Sequence, residues 1–205
     1  MSFKPKFLAT GIGSMPFDNP DHAVEISLSR VPEAPFWPQL PKIDLNEQMV
    51  EICRDKGLDC QKGDILESLA EWQDKTLGGI FSSQVIEHLS PPHLQKLIEL
   101  AYFKLATGGH AILETINPSS VFALVQIYFL DLTHQKPIHP QTLKFLMESS
   151  GFEEVEIRYS HPLEHEQLQT LPGADETASI LNRNIDNLNK LLYAPPNYSA
   201  IGVKK

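Results

Sequence analysis

Cysteine is almost absent from this 205-residue chain: Cys53 and Cys60 are the only two, and they form no C-x-x-C pair. That excludes a disulfide framework and a cysteine-rich zinc module, and it suits a reducing compartment, so a cytoplasmic protein is expected. Basic charge is also short. Seventeen Lys and Arg face 26 Asp and Glu, for a net charge of -9 and a pI near 5.3. Nucleic acid is therefore not expected as a partner, because phosphate binding draws on clustered Lys and Arg. No apolar run approaches the roughly 20 residues of a membrane span. The N-terminus has Lys4 and Lys6, then Gly, Pro and Asp within a few residues, with no apolar signal core. No internal repeat or low-complexity tract is present. What remains is 41% hydrophobic residues, enough for one full α/β domain with at most an appendage.

Two textures divide the chain. Residues 1–42 hold seven of the 16 prolines, at positions 5, 16, 20, 32, 35, 38 and 41. Proline cannot donate to a sheet ladder or sit inside a helix. Only Phe7–Thr10, as a short strand, and Asp21–Arg30, as a helix, are expected to be regular there. Charge is balanced over this segment, so the whole acidic excess lies downstream.

From Ile43 onward, short apolar runs alternate with amphipathic stretches, the pattern of a mostly parallel sheet covered by helices. Asn46 is a helix cap and Gly57 a left-handed stop. A strand is expected at Asp59–Lys62, a helix from Ile65 to Trp72 and a strand over Leu77–Ser83. Ser90-Pro91 opens a helix that Gly108-Gly109 closes. A strand His110–Ile116, helices Val121–Phe129 and Pro140–Ser150, a strand Val155–Tyr159, a helix Glu176–Leu192 and a last strand Tyr198–Val203 complete the series.

In an open α/β sheet, ligands sit beyond the carboxyl ends of the strands, so the residues at those ends carry the chemistry. Asp44 follows the run Leu40–Ile43, where a carboxylate can accept both hydroxyls of a ribose; equally, it is a helix-start carboxylate beside a dipole. Gly63-Asp64-Ile65 offers a carboxylate for an adenine amino group and an apolar side chain for its ring, or simply a turn. His88 is a candidate base or a surface histidine. Asn117 and the pair Thr133-His134 are candidates for an acceptor pocket, against readings as a turn residue and a loop cluster. His161, Glu164 and His165 have ligand-like spacing but no third partner, so no metal is expected.

The runs IDLNEQMVEICRDKGLDCQKGDILESL, LGGIFSSQVIEHL, LIELAYFKLATGGHAILETINPSS and YFLDLTHQKPIHPQTLKFLMESSGF resemble class I S-adenosylmethionine-dependent methyltransferases. The likeness is strongest to the branch related to ubiquinone-biosynthesis and sugar-modifying methyltransferases. It covers residues 43–205, with five motifs in order. It implies a three-layer α/β/α, doubly wound Rossmann-like sheet, mostly parallel with an antiparallel last strand, and S-adenosylmethionine as cofactor. Asp44 would bind the ribose diol, Leu45 flank the adenine, Asp64 and Ile65 frame it, and Gln84 lie near the methionine portion. Methyl transfer needs alignment and dryness, with a base only for a protonated nucleophile; His88, His134 and His139 are the candidates. Asn117 and Thr133 would contact the acceptor, a small molecule or glycan precursor methylated on O or N.

One part of that pattern is altered. The first strand and glycine-rich turn should stand just upstream of Asp44. Their only counterpart is FLATGIGSM, where Gly11 and Gly13 imitate a G-x-G turn, but Gly13 lies 31 residues before Asp44 against about 20 expected. LATGIGSMPF and PEAPFWPQLPK instead resemble the start of cobalamin-independent methionine synthase-like proteins, a barrel family in which Ser14 would face substrate. Seven further strands of that barrel have no sequence here, so it cannot close. The sequence thus reads as a 1–42 segment joined to an N-terminally truncated methyltransferase domain, 43–205, with a fused or truncated gene as the origin. A non-catalytic binding module, its crevice covered by Phe36 and Trp37, is the second reading. Failure to fold around a lost central strand is the third. Oligomeric state is left open.

Overall fold

A computed structural model describes residues 6–10, 41–173 and 175–205. Seven strands form one sheet: β1 Lys6–Thr10, β2 Lys42–Asp44, β3 Cys60–Lys62, β4 Leu77–Ser83, β5 Leu105–Ile116, β6 Glu153–Ser160 and β7 Asn197–Val203. Their order is β3-β2-β1-β4-β5-β7-β6. Strands β3 to β5 along that order run parallel, and β7 lies antiparallel to both β5 and β6. This is the doubly wound sheet that the sequence predicts, with its antiparallel last strand.

The first strand is not lost. β1 lies at the centre of the sheet, pairing Ala9 and Thr10 with Lys42 and Ile43 on one side. On the other side Lys6 to Thr10 run along β4 from Leu77 to Ser82. No open edge therefore splits the sheet at this point. The helix expected over residues 21–30, Gly11, Gly13, Ser14, Phe36 and Trp37 all lie outside the described residues.

Among the described residues, six helices accompany the strands: α1 Glu47–Asp55, α2 Ile65–Glu71, α3 Pro91–Lys104, α4 Val121–Gln126, α5 Pro140–Ser149 and α6 Glu176–Leu192. α2 packs on α3 and α3 on α5, while α4 packs on α6. β4 is buried along nearly its whole length, as a two-sided central strand must be. β7 alternates instead, sending Tyr198, Ala200 and Gly202 inward. A Cβ at Gly202 would come within 3.0 Å of Met147 and Phe152, so any larger residue there would make these side chains give way. Leu69, Leu77, Ile80, Leu97, Ile98, Leu105, Leu113 and Leu143 fill the main core; truncating any one to Ala costs about 2–5 kcal/mol.

The local signals hold at α1, where Asn46 accepts from Gln48 N and Gly57 follows with φ +76°. They fail at α3. Ser90 precedes it but makes no side-chain cap bond. Gly108-Gly109 does not close it either, since the helix ends at Lys104 and β5 begins at once. The last carbonyls are served from afar: buried Lys204 donates from Nζ to Tyr102 O at 2.6 Å and Leu105 O at 2.8 Å. The helix expected over 121–129 stops at Gln126 and passes into a short 3-10 turn, Tyr128–Leu130.

Candidate active site

At the carboxyl ends of β2, β3 and β4 lies a cleft of about 520 Å³, within the 300–1,000 Å³ usual for a small-molecule site. It adjoins the place where the strand order reverses, between β1 and β4, as expected for an open α/β sheet. Ile43 to Asn46, Gly63 to Ile65, Gln84, Val85, His88, Leu89, Thr133 and Gln135 line it. Seven of the residues singled out from sequence thus share one cavity: Asp44, Leu45, Asp64, Ile65, Gln84, His88 and Thr133.

Each wall has a local cause. Asp44 ends β2, and its Oδ1 accepts from Asn46 N at 2.7 Å, which turns the chain into α1. Asp64 caps α2, accepting from Leu66 N at 2.8 Å and Glu67 N at 3.1 Å. Both bonds use Oδ1, so the cap leaves Oδ2 as an acceptor for a ligand. Gly63 leaves room beside it, since a Cβ there would come within 2.9 Å of Ser68 Oγ. Gln84 follows β4 in the left-handed region at φ 54°. Such strain in a non-glycine residue gathers at ligand sites. Its amide donates toward Asn197 Oδ1 at 3.4 Å, across the sheet edge.

A polar cluster closes one end. Glu87 is fully buried; its Oε2 accepts from Thr115 Oγ1 at 2.9 Å, while Oε1 has no hydrogen-bond partner. Burial pushes the Glu87 carboxyl up to about 7. The His88 and His134 rings lie in contact, centroids 4.6 Å apart and planes tilted by 55°. Burial, then the neighbouring His134, holds His88 below the usual histidine range, so its ring is neutral near pH 7.

The hydrogen bonds fix both tautomers. Thr133 gives its one hydroxyl proton to Asp131 Oδ1 at 2.6 Å, so at 2.8 Å its oxygen must accept from His88 Nδ1–H. Tyr128 O can only accept, so His134 Nδ1, 2.6 Å away, also carries its proton. His88 therefore offers Nε2 as a lone pair, while Nε2 of His134 lies 4.0 Å from Asp131 Oδ2. Although burial pushes it up, the Asp131 carboxyl is held below its usual range by the Thr133 hydroxyl and amide. Gln135 N donates to Glu87 O at 2.8 Å and clamps the 131–135 loop over the cluster.

Asn117, His134 and His139 stand apart from the cleft lining. Asn117 is buried, donating to Pro195 O and accepting from Ser119 N, and ties the end of β5 to the approach to β7. His139 is exposed and caps α5 by accepting from Gln141 N. His134 lies behind His88. His161, Glu164 and His165 join no group of three metal ligands among the described residues. Glu87, His88 and His134 do: a carboxylate oxygen and two ring nitrogens fall within 4.8 Å of one another, an arrangement able to hold a cation. Sequence reasoning passed over Glu87 and Asp131. The D-x-T turn was a readable signal for Asp131, whereas nothing local marks Glu87 as buried.

No helix among the described residues is long and apolar enough to cross a membrane. The profile of a methyltransferase domain family matches residues 19–157. Among solved structures, an S-adenosylmethionine-dependent methyltransferase from Archaeoglobus fulgidus is 31% identical, with a TM-score of 0.80 over 98% of this chain and 86% of that one. A possible histamine N-methyltransferase from Thermotoga maritima is 17% identical, with a TM-score of 0.60 over 98% and 83%. Phosphoethanolamine N-methyltransferase 2 from Haemonchus contortus, bound to S-adenosyl-L-methionine, is 15% identical, with a TM-score of 0.60 over 100% and 49%. The last two share the fold alone. No curated protein matches.

Proposed function

The chain belongs to the methyltransferase domain family, and from that membership we propose that it methylates an oxygen or nitrogen of a small molecule or glycan precursor. S-adenosylmethionine is the cofactor, and when bound it supplies an activated methyl group on a sulfonium. The observation that carries the reading is the convergence of Asp44, of Asp64 with Ile65, and of Gln84 on one cleft from three separate strand ends.

The residues fit the adenosine half. Asp44 stands where a carboxylate would receive the ribose hydroxyls, and Asp64 Oδ2 is the acceptor for the adenine amino group. Ile65, Val85 and Leu89 supply an apolar lining for the ring, with Leu45 at its rim. Gln84 is assigned to the methionine portion, together with Gly11 and Gly13, which follow the end of β1 in sequence. His88 and His134, with Thr133 fixing the first ring, mark where an acceptor O–H or N–H would give up its proton. Residues 1–42 are read as a segment of methionine synthase-like origin that now supplies β1, and this rests on the LATGIGSMPF likeness.

Calorimetric titration with S-adenosylhomocysteine tests the assignment. The folded protein should bind it, and Asp44→Ala should weaken binding. Folded protein giving no heat at millimolar ligand would sink the catalytic reading in favour of a non-catalytic module.

A further inference from the structure

We propose that Glu87, His88 and His134 hold a divalent transition-metal ion at the end of the cleft, zinc or another first-row cation that imidazole binds well. Three independent features point to it. First, the ligand atoms already lie within 4.8 Å of one another. Tetrahedral metal–ligand bonds of about 2.0–2.2 Å put bound ligands roughly 3.3–3.6 Å apart, so side-chain rotations that draw these atoms in by about 1 Å complete the site. Second, Glu87 is 1% exposed, yet Oε1 has no partner. An unmade bond on a buried carboxylate is costly unless something of opposite charge belongs there.

Third, both rings are preset. His88 donates Nδ1–H to Thr133, which is itself held by Asp131, and His134 donates Nδ1–H to the Tyr128 carbonyl. Anchoring of one ring nitrogen by a carboxylate-backed hydroxyl or a carbonyl is how metal-binding histidines are oriented, with the other nitrogen left as the ligand. Two imidazoles and one carboxylate suit zinc, iron, cobalt or nickel rather than magnesium or calcium, which favour all-oxygen shells. Three protein ligands leave a coordination position open, and His88 lines the cleft from which it would be reached. Resting on the methyltransferase reading for this last step, an acceptor oxygen bound there would lose its proton more readily.

The test uses the full chain, dialysed against chelator and then titrated separately with Zn²⁺, Co²⁺ and Mg²⁺, with S-adenosylhomocysteine titrated in parallel. One Zn²⁺ per chain should bind, Co²⁺ should give visible d–d bands, and Mg²⁺ should bind far more weakly. Glu87→Gln or His134→Gln should cost at least about 100-fold in Zn²⁺ affinity, and the exposed control His165→Gln nothing. Because Glu87→Gln can disturb the core, Thr133→Val provides a second probe. It should weaken Zn²⁺ by about 10–100-fold, with Thr133→Ser restoring it. Folded wild type that takes up neither Zn²⁺ nor Co²⁺, uptake that all these variants leave unchanged, or tighter Mg²⁺ than Zn²⁺ binding would each overturn the proposal. S-adenosylhomocysteine binding without metal uptake overturns the metal site alone, whereas metal uptake without S-adenosylhomocysteine binding supports the site and overturns the cofactor reading.

Discussion

Asp64 does two jobs with two different oxygens, and substitutions separate them. Oδ1 accepts the amides of Leu66 and Glu67 and starts α2; Oδ2 is assigned to the adenine amino group. Asp64→Asn keeps a carbonyl oxygen for the cap but replaces the second acceptor with a donor NH₂, which repels an amino group. Its stability should stay within a few tenths of a kcal/mol of wild type, because Asn and Asp are equivalent caps. Its affinity for S-adenosylhomocysteine should fall by the worth of a charge-assisted bond, about 1.5–3 kcal/mol, or roughly 10- to 150-fold. Asp64→Ala removes both functions. It should lose similar affinity and also about 1 kcal/mol of stability, a fall of about 2–4 °C in Tm for a chain of this size. Calorimetric titration and thermal unfolding on the same samples read the two effects. An Asn variant that binds like wild type would refute the adenine assignment, and an Ala variant with unchanged Tm would refute the cap.

In metal-free protein, burial pushes the Glu87 carboxyl up to about 7 when folded, against about 4.5 for an exposed glutamate. Between those values the folded chain holds a proton that the unfolded chain has released, so stability falls as pH rises from about 4.5 to 7, by about 3 kcal/mol at most. Urea unfolding across that range should show this slope, and Glu87→Gln should flatten it. Lys204→Met leaves the Tyr102, Phe103 and Leu105 carbonyls without their shared donor and should cost about 2–3 kcal/mol by chemical denaturation. Gly151 sits at φ +102° with room for no Cβ, the Tyr102 ring being 2.9 Å from where one would stand. Gly151→Ala should therefore cost about 1–3 kcal/mol, seen as a lowered urea midpoint. Burial pushes the Cys60 thiol up to about 12 and Cys53 upward as well, so a thiol reagent should label neither at neutral pH until the protein is unfolded.

How much of this was legible depended on whether the cause was local. Asp44, Asn46, Gly57 and Asp64 could be read because a strand end and the helix start after it are written within a few residues. The boundary between α3 and β5 could not. A Gly-Gly pair is the usual stop, but here the stop is the ammonium of Lys204, about a hundred residues further on. Ser90 misled in the same way, looking like a cap without making the bond. Glu87 was invisible because the loop that covers it arrives through Gln135. The sequence around His139 and Asn117 did not show that a helix start takes the Nδ1 of His139 or that Asn117 spans a chain crossing to Pro195, since the second partner lies far along the chain. β1 was read as a short strand from its own residues, but its place at the centre of the sheet depends on partners at 42–43 and 77–82.

That central place has a mechanical consequence. β2 and β3 carry Asp44 and Gly63, while β4 leads into Gln84 and the histidines, and the hydrogen-bond ladder between these two groups runs only through the five residues of β1. Among the described residues β1 pairs with β4 from Lys6 to Thr10 and with β2 at Ala9 and Thr10. The seams on either side of β1 thus run beside the cleft, between the wall that would grip a nucleoside and the wall that would present an acceptor. A ligand spanning both walls would act as a brace across those seams, slowing amide exchange in β2 and β3 more than in β5 or β7.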